Sequence, residues 1–333
     1  MTATLRDVAA HAGVSVATAS RVASGSPIVS EKTRRHVERS MRELLYVPRD
    51  RAPWSGAIGL LVPELTNPVF PALAQELEMR ARDAGIATIL CTTHGSAARE
   101  AEYVHMLLER RVDGMIFISS EVTQLRSSHD HYRRLLRAGA RFVFVNGTFD
   151  GLDVPSISVD ERAAGRLATE HLLALGHTRI GFAAGDADSS PTREKTLGRE
   201  AALSAAGIDS DGLVAHATFD VDGGRKAFRE LASRAGGPPT GIICSNDLMA
   251  IGVIREASAG GIRVPRELSV IGFDGTAAAG WSDPILTTVA QPLDEIAETA
   301  VGALRALIEG ADSLPNYVFR PRLEPGRSTA PPG

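Results

Sequence analysis

Val16, Ala17 and Arg21 belong to a short stretch, Ser15 to Ala23, whose residue types suit the reading of base-pair edges. Ser15 is a strong N-cap, and Ala19 and Val22 supply an inward face, so the stretch reads as a short helix. Its outer side then carries Val16 and Ala17 first and Arg21 a turn later. An arginine there can bond a guanine edge in two places, and valine or alanine can touch a thymine methyl. Arg34 and Arg35 can reach phosphates, which position a protein on DNA without reading sequence. The bland alternative is a helical cap with no DNA role.

Other chemistry has little support. No two glycines stand two apart, which excludes the dinucleotide and kinase glycine loops. The phosphate loop G-x-x-x-x-G-K-[ST], the zinc motif H-E-x-x-H and the nucleophile elbow G-x-S-x-G are missing too. His171 and His177, six apart, do not share a helical face, so no metal is expected from them. Cys91 and Cys244 are the only cysteines and lie far apart, which implies neither a disulfide framework nor a zinc site. The expectation is a protein that is not an enzyme and carries no cofactor.

The base-reading stretch needs elements to hold it. Thr4 and Asp7 make a capping-box start, and Leu5, Val8, Ala9 and Ala12 then share a helical face until Gly13 stops the helix. Two short helices around a glycine turn form a helix-turn-helix unit. Ser30 caps a third helix, from about Glu31 to Leu45, with Val37, Met41, Leu44 and Leu45 spaced to close a small core. A linker to Gly56 follows. Only Arg49, Asp50, Arg51 and Ala52 stand between Pro48 and Pro53, about one helical turn, too short to repay helix nucleation. The linker is therefore expected to stay non-helical on DNA, with Arg49 and Arg51 making charge contacts.

Charge is divided along the chain. Residues 1–51 hold nine lysines and arginines against five acids, a net of +4, leaving −8 for the rest of a chain whose net charge is −4. A basic head on an acidic body suits an anionic polymer bound at one end, although +4 is also what a solvated helix face can carry. With 333 residues the chain should form two or three domains. It shows neither a signal peptide nor an apolar run of membrane-spanning length, so a cytoplasmic protein is expected, with no membrane partner.

Beyond Gly56, apolar strands alternate with amphipathic helices. The strands are 57–62, 86–91, 114–119, 141–146, 178–184, 241–245 and 269–273, and the last clear helix is Leu293 to Ile308. Continuous apolar strands separated by helices mean parallel sheets covered on both faces. The predicted fold is α/β: an all-α helix-turn-helix headpiece followed by a two-lobed core of doubly wound parallel sheets.

The order of residues is more specific than the pattern. Leu5-Arg-Asp-Val-Ala9, Ala12-Gly-Val-Ser15, Thr18-Ala-Ser-Arg-Val22, Val29-Ser30 and Tyr46-Val-Pro48 resemble the headpiece of the lac-repressor family, and Val16-Ala17 resembles its galactose-repressor branch. Ile58-Gly-Leu-Leu-Val-Pro63, Asn67-Pro68, Arg110-Arg-Val-Asp-Gly114, Leu175-Gly-His-Thr-Arg-Ile180, Ser245-Asn-Asp247, Val270-Ile-Gly-Phe-Asp274 and Thr287-Thr-Val-Ala-Gln-Pro292 resemble the family's periplasmic-binding-protein-like core. The resemblance implies a DNA-binding transcription regulator, a homodimeric repressor on a palindromic operator. It places DNA contacts at Thr4, Ser15, Val16, Ala17, Thr18, Ser20, Arg21, Ser30, Arg34 and Arg35, to which the linker reading adds Arg49 and Arg51.

It also implies a small effector between the lobes, at Phe70, Asn146, Arg193, Phe219, Asn246, Asp247, Asp274 and Gln291. Amide, carboxylate and guanidinium groups can each bond two neighbouring hydroxyls, so a sugar-like ligand fits, with a nucleoside or purine as the alternative. Each residue has a plainer reading. Asp247 and Asp274 could be N-caps, Arg193 a surface residue, Asn146 a turn residue, and Phe70 and Phe219 core. The domains implied are a headpiece at 1–47, a linker at 48–56 and a core at 57–333. Within the core one lobe is expected at about 57–156 and 287–319, the other at about 157–286 and 320–328. A transport-type solute-binding protein shares such a core, and the headpiece argues against it.

Departures from the family pattern are informative. Glu161 stands where an asparagine usually follows Asp160, and Ala19 and Ala23 are smaller than the usual branched residues. The tail from Arg327 has no heptads to build a coiled coil. The linker lacks the usual segment whose leucine enters the minor groove.

Overall fold

The computed structural model describes residues 4–23, 26, 28–44, 56–149, 151–209 and 212–333. The chain divides into two compact units, Met1–Ser55 and Gly56–Gly333. The expectations for the linker, including contacts from Arg49 and Arg51, lie outside the described residues.

The first unit contains α1 (Leu5–His11), α2 (Val16–Ala23) and α3 (Glu31–Glu43). The Thr4 hydroxyl accepts the Asp7 amide at 3.4 Å while the Asp7 carboxylate accepts the Thr4 amide at 2.7 Å, a complete capping box. Gly13 turns the chain at φ +56°, where a side chain would be strained. Ser15 Oγ accepts the Thr18 amide at 3.1 Å and Ser30 Oγ the Thr33 amide at 3.3 Å, so both serines cap as their positions predict. Val8, Ala9, Ala12, Ala19, Val22, Val37 and Met41 close the core.

In the second unit the chain builds β1 (Ala57–Val62), α4 (Val69–Asp83), β2 (Ala87–Thr92), α5 (Ala97–Glu109), β3 (Gly114–Ile118), α6 (Asp130–Arg137), β4 (Phe142–Val145) and β5 (Ser156–Val159). It then crosses to α7 (Glu161–Ala174), β6 (Ile180–Ala184), α8 (Ser190–Ala205), β7 (Val214–His216), α9 (Val221–Ala232), β8 (Gly241–Cys244), α10 (Asp247–Ala259), β9 (Ser269–Asp274), α11 (Ala277–Trp281) and β10 (Thr287–Ala290). It returns as α12 (Leu293–Ile308) and β11 (Tyr317–Phe319) and ends on β12 (Arg322–Glu324).

Two sheets of six strands result, ordered β2-β1-β3-β4-β5-β11 and β7-β6-β8-β9-β10-β12. All neighbours are parallel except β10 and β12. In the first sheet Leu60 stands opposite Leu90 and Ile116. The central strands β3 and β4 are buried along their whole length, which explains their continuous apolar runs.

The crossings between lobes fall later than the sequence suggested. Ser156–Val159 pairs with β4 and β11 in the first sheet, and Thr287–Ala290 with β9 in the second. The first lobe therefore extends past residue 156, and residues 287–290 belong to the second. Strand pairing decides this, and pairing has no local signature in the chain.

The C-terminal tail is tied to the second lobe. His177, 2% exposed, bonds Thr240 Oγ1 at 2.9 Å through Nδ1 and the Ala330 carbonyl at 2.9 Å through Nε2. His171 Nε2 lies 3.1 Å from Thr329 Oγ1. Burial lowers the proton affinity of both rings. The unfolded chain then takes up protons first as pH falls through about 6.5, so the stability contributed by the neutral rings is lost on acidification. His177→Gln should flatten the decline of melting temperature between about pH 7.5 and pH 5.5 relative to the unsubstituted protein. Identical slopes would contradict a titrating His177.

Candidate functional site

In the headpiece, Val16, Ala17, Ser20 and Arg21 are exposed on α2, opposite the buried Ala19 and Val22. Val16 is 46% exposed at the start of the helix, an apolar group suited to a thymine methyl. Thr4 is exposed in its capping box, and Ser15 and Thr18 bond each other at 2.9 Å, as Ser30 and Thr33 do at 2.8 Å. Arg35 is exposed and pairs with Glu31 at 3.2 Å, a contact that a phosphate can replace. The Arg34 guanidinium also donates to the Ser26 carbonyl within the headpiece, bracing the segment before α3.

In the second unit both sheets reverse strand order beside their first strand, β1 to β3 in one and β6 to β8 in the other. Ligands of doubly wound sheets bind at the carboxyl ends of such strands. Backbone strain gathers there as well. Ser119 follows β3 at φ 42°, Asn146 follows β4 at φ 59°, and Asp274 ends β9 at φ 114°, all rare for residues with a side chain.

Asn146 of the first lobe is joined to Asp274 of the second through Gln291. Asn146 Nδ2 donates to Gln291 Oε1 at 3.4 Å, and Gln291 Nε2 donates to Asp274 Oδ1 at 2.8 Å. Asn146 Oδ1 and Asp274 Oδ2 are buried and accept no hydrogen bond among the described residues. Burial and the neighbouring Asp247 push the Asp274 carboxyl well above the usual carboxylate range, partly opposed by Lys195 and Gln291. Two open acceptors at the junction of the lobes can receive ligand hydroxyls.

The other expected effector residues divide. Phe70 is half-buried in the first turn of α4. The Phe219 ring covers Gly185, where a Cβ would lie 2.0 Å from it and would displace the ring. Asn246 is the N-cap of α10: its Oδ1 accepts the Met249 amide at 2.8 Å and its Nδ2 donates to the Phe219 carbonyl at 2.9 Å. Asp247, 1% exposed, accepts the Thr276 amide at 2.9 Å, the Thr276 hydroxyl at 3.0 Å and the Thr288 hydroxyl at 2.6 Å. Burial lifts its carboxyl to about 6, against the pull of those bonds. Asn246 and Asp247 thus spend their polar atoms on positioning Phe219, α10 and the turn after β9. Arg193 is not brought to the cluster; its side chain is 58% exposed and bonds Glu194 at 3.3 Å.

Sequence reasoning missed two features. Lys195 is buried on α8 and paired with Glu161, a residue noticed only as a departure. The loop after β3 also reaches the second lobe, where the Leu125 amide donates to the Asp188 carbonyl at 2.8 Å and Gln124 bridges Ser189.

A helix-turn-helix headpiece and a two-lobed doubly wound core together define a class of transcription regulators, and comparison with known proteins agrees. Residues 4–49 match the family described as bacterial regulatory proteins, lacI family, and residues 169–329 match the periplasmic binding protein-like domain. The chain is 38% identical to the HTH-type transcriptional regulator MalR of Streptomyces coelicolor, over 99% of this chain and 97% of the relative. Among solved structures, the transcriptional regulator CelR–cellobiose complex is similar with TM-score 0.75 and 31% identity, covering 98% of this chain and 99% of that one. The lac repressor dimer bound to operator and the anti-inducer ONPF is similar with TM-score 0.83 and 27% identity, covering 99% and 100%. The chain belongs to the lacI family of DNA-binding transcription regulators; its relatives are regulators, not enzymes. Among the described residues, no helix is long and apolar enough to cross a membrane.

Proposed function

We propose that this protein is a cytoplasmic repressor that binds a palindromic operator as a homodimer and is controlled by a sugar-like effector held between its lobes. The observation that carries the effector half is the Asn146–Gln291–Asp274 chain, with its two open acceptors where the lobes meet. A polyhydroxylated ligand supplies donors to both, and Phe70 and Phe219 can offer aromatic faces to its C–H surface. The similar regulator solved with cellobiose supports the same ligand class. One short recognition helix reads few bases, and paired half-sites supply the missing affinity. The proposed division is a DNA-reading headpiece to about residue 47, a linker to residue 56, and a core that binds effector and dimerises.

The test is a thermal-shift screen against sugars, polyols and nucleosides, followed by operator titration with each stabilising compound. A ligand that binds the folded state raises its stability with the logarithm of saturation. Stabilisation by nucleosides alone would replace the sugar reading.

On the DNA side, Arg21→Ala should cost about 1–3 kcal/mol on the preferred site and relax preference at one base pair per half-site. Arg35→Ala should weaken all sequences alike and flatten the salt dependence. An unchanged ratio of preferred to random affinity in Arg21→Ala would remove the recognition role from α2.

A further inference from the structure

Two charged side chains beside the Asn146–Gln291–Asp274 chain have no part in the reading above. Lys195 lies in the second turn of α8 and is only 6% exposed. Its Nζ stands 3.7 Å from the centroid of the Phe273 ring and is ion-paired with Glu161, the first residue of α7. Phe273 directly precedes Asp274 on β9, and the fields of both Lys195 and Glu161 act on the Asp274 carboxyl.

The charges gathered here are unfavourable to an anion. Asp247 and Asp274 are buried carboxyl groups, Glu161 is half-buried, and the ammonium among them is already paired and stacked. Asn146 Oδ1 can receive donors, as can Asp274 Oδ2 once its carboxyl is ionised, whereas an incoming phosphate or carboxylate would bring further acceptors. Arg193 is directed to Glu194 and solvent. A neutral polyol brings hydroxyl donors and leaves the ion pair intact.

We propose that the Glu161–Lys195 ion pair is the charge filter of this junction: by holding the buried ammonium neutralised, it favours an uncharged polyhydroxyl effector over its phosphorylated or acidic analogue. The proposal rests on the Asn146–Gln291–Asp274 junction being the effector site. It makes Glu161 and Lys195 determinants of specificity through charge. Removing the carboxylate charge leaves a desolvated ammonium uncompensated, a site that an anionic ligand can satisfy.

The experiment is calorimetry on the full-length protein with matched probes: glucose, glucuronate, glucosamine and glucose phosphate, ribose and ribose phosphate, and cellobiose. The unsubstituted protein should bind at least one neutral probe and reject its anionic analogue. Glu161→Gln should narrow that preference by about tenfold or more. Lys195→Met should keep the rejection of anions and improve glucosamine relative to glucose by about tenfold, an independent arm should Glu161→Gln fail to fold. If a neutral probe binds but both variants leave the ratios within about twofold of the original, the filter is refuted while the effector reading stands. Binding of the anionic probes alone also refutes the filter. No binding of any probe, with no sugar or polyol stabilising the protein in the wider screen, refutes both.

Discussion

Alanine at Gly198 or Gly165 is expected to destabilise the core by about 1–3 kcal/mol each, read as a lowered denaturant midpoint. Helices α7 and α8 lie against one another at these glycines. A Cβ at Gly198 would sit 2.0 Å from the Arg162 carbonyl oxygen, and one at Gly165 would sit 2.1 Å from that of Lys195. Both obstacles are backbone atoms, which cannot swing aside, so the helices must part. Parting them also draws Glu161 on α7 away from Lys195 on α8, and the buried ion pair weakens with the packing. Gly302, exposed inside α12, has nothing within 4 Å of where its Cβ would stand. Alanine there should stabilise by roughly 0.5–1 kcal/mol, since it only removes glycine's conformational freedom. Equal effects at Gly198 and Gly302 would refute the close packing of α7 on α8.

The same helix pair shows what the sequence could and could not reveal. The helix Leu293–Ile308 and the strand Ala57–Val62 have the bounds that their apolar patterns indicate, because burial along one face or both leaves a local imprint. Strands β7, β11 and β12 are three residues long and carry no such imprint, and α6 buries only Tyr132 and Leu135 amid charged neighbours. At the site, Asn146 and Asp274 were legible as polar residues ending apolar strands. The fate of Asp247 was not. Its carboxylate is spent on Thr276 and Thr288, 29 and 41 positions away, partners that only the folded sheet assembles. Lys195 reads as an ordinary surface lysine two residues after Arg193, yet it is the lysine that is buried and the arginine that is exposed. That inversion follows from helix phase: Lys195 lies on the face carried by Gly198 and Arg199, and Arg193 on the face carried by Leu197.

At a pH high enough to ionise its raised carboxyl, Asp274→Asn is expected to weaken effector binding by about tenfold to a hundredfold, because a buried charged acceptor that meets ligand hydroxyls contributes about 1.5–3 kcal/mol for each bond. Asparagine is the informative substitution here. Residue 274 sits at φ 114°, a strained region that alanine tolerates poorly, so Asp274→Ala would mix a folding defect with the binding loss. The amide keeps the shape and one acceptor, but it cannot offer an ionised oxygen on each side, one for Gln291 Nε2 and one for the ligand. Binding should also depend on pH in the unsubstituted protein. Burial and Asp247 raise the proton affinity of Asp274, and hydroxyl donors from the ligand favour its ionised form. The ligand therefore displaces a proton, and affinity should fall as pH is lowered. In Asp274→Asn the contribution of this group to the pH slope disappears, while operator binding without effector remains. Effector titrations across pH, followed by operator anisotropy, measure both quantities. An Asp274→Asn protein that keeps the full affinity and the full pH slope would place the ligand away from the Asn146–Gln291–Asp274 chain.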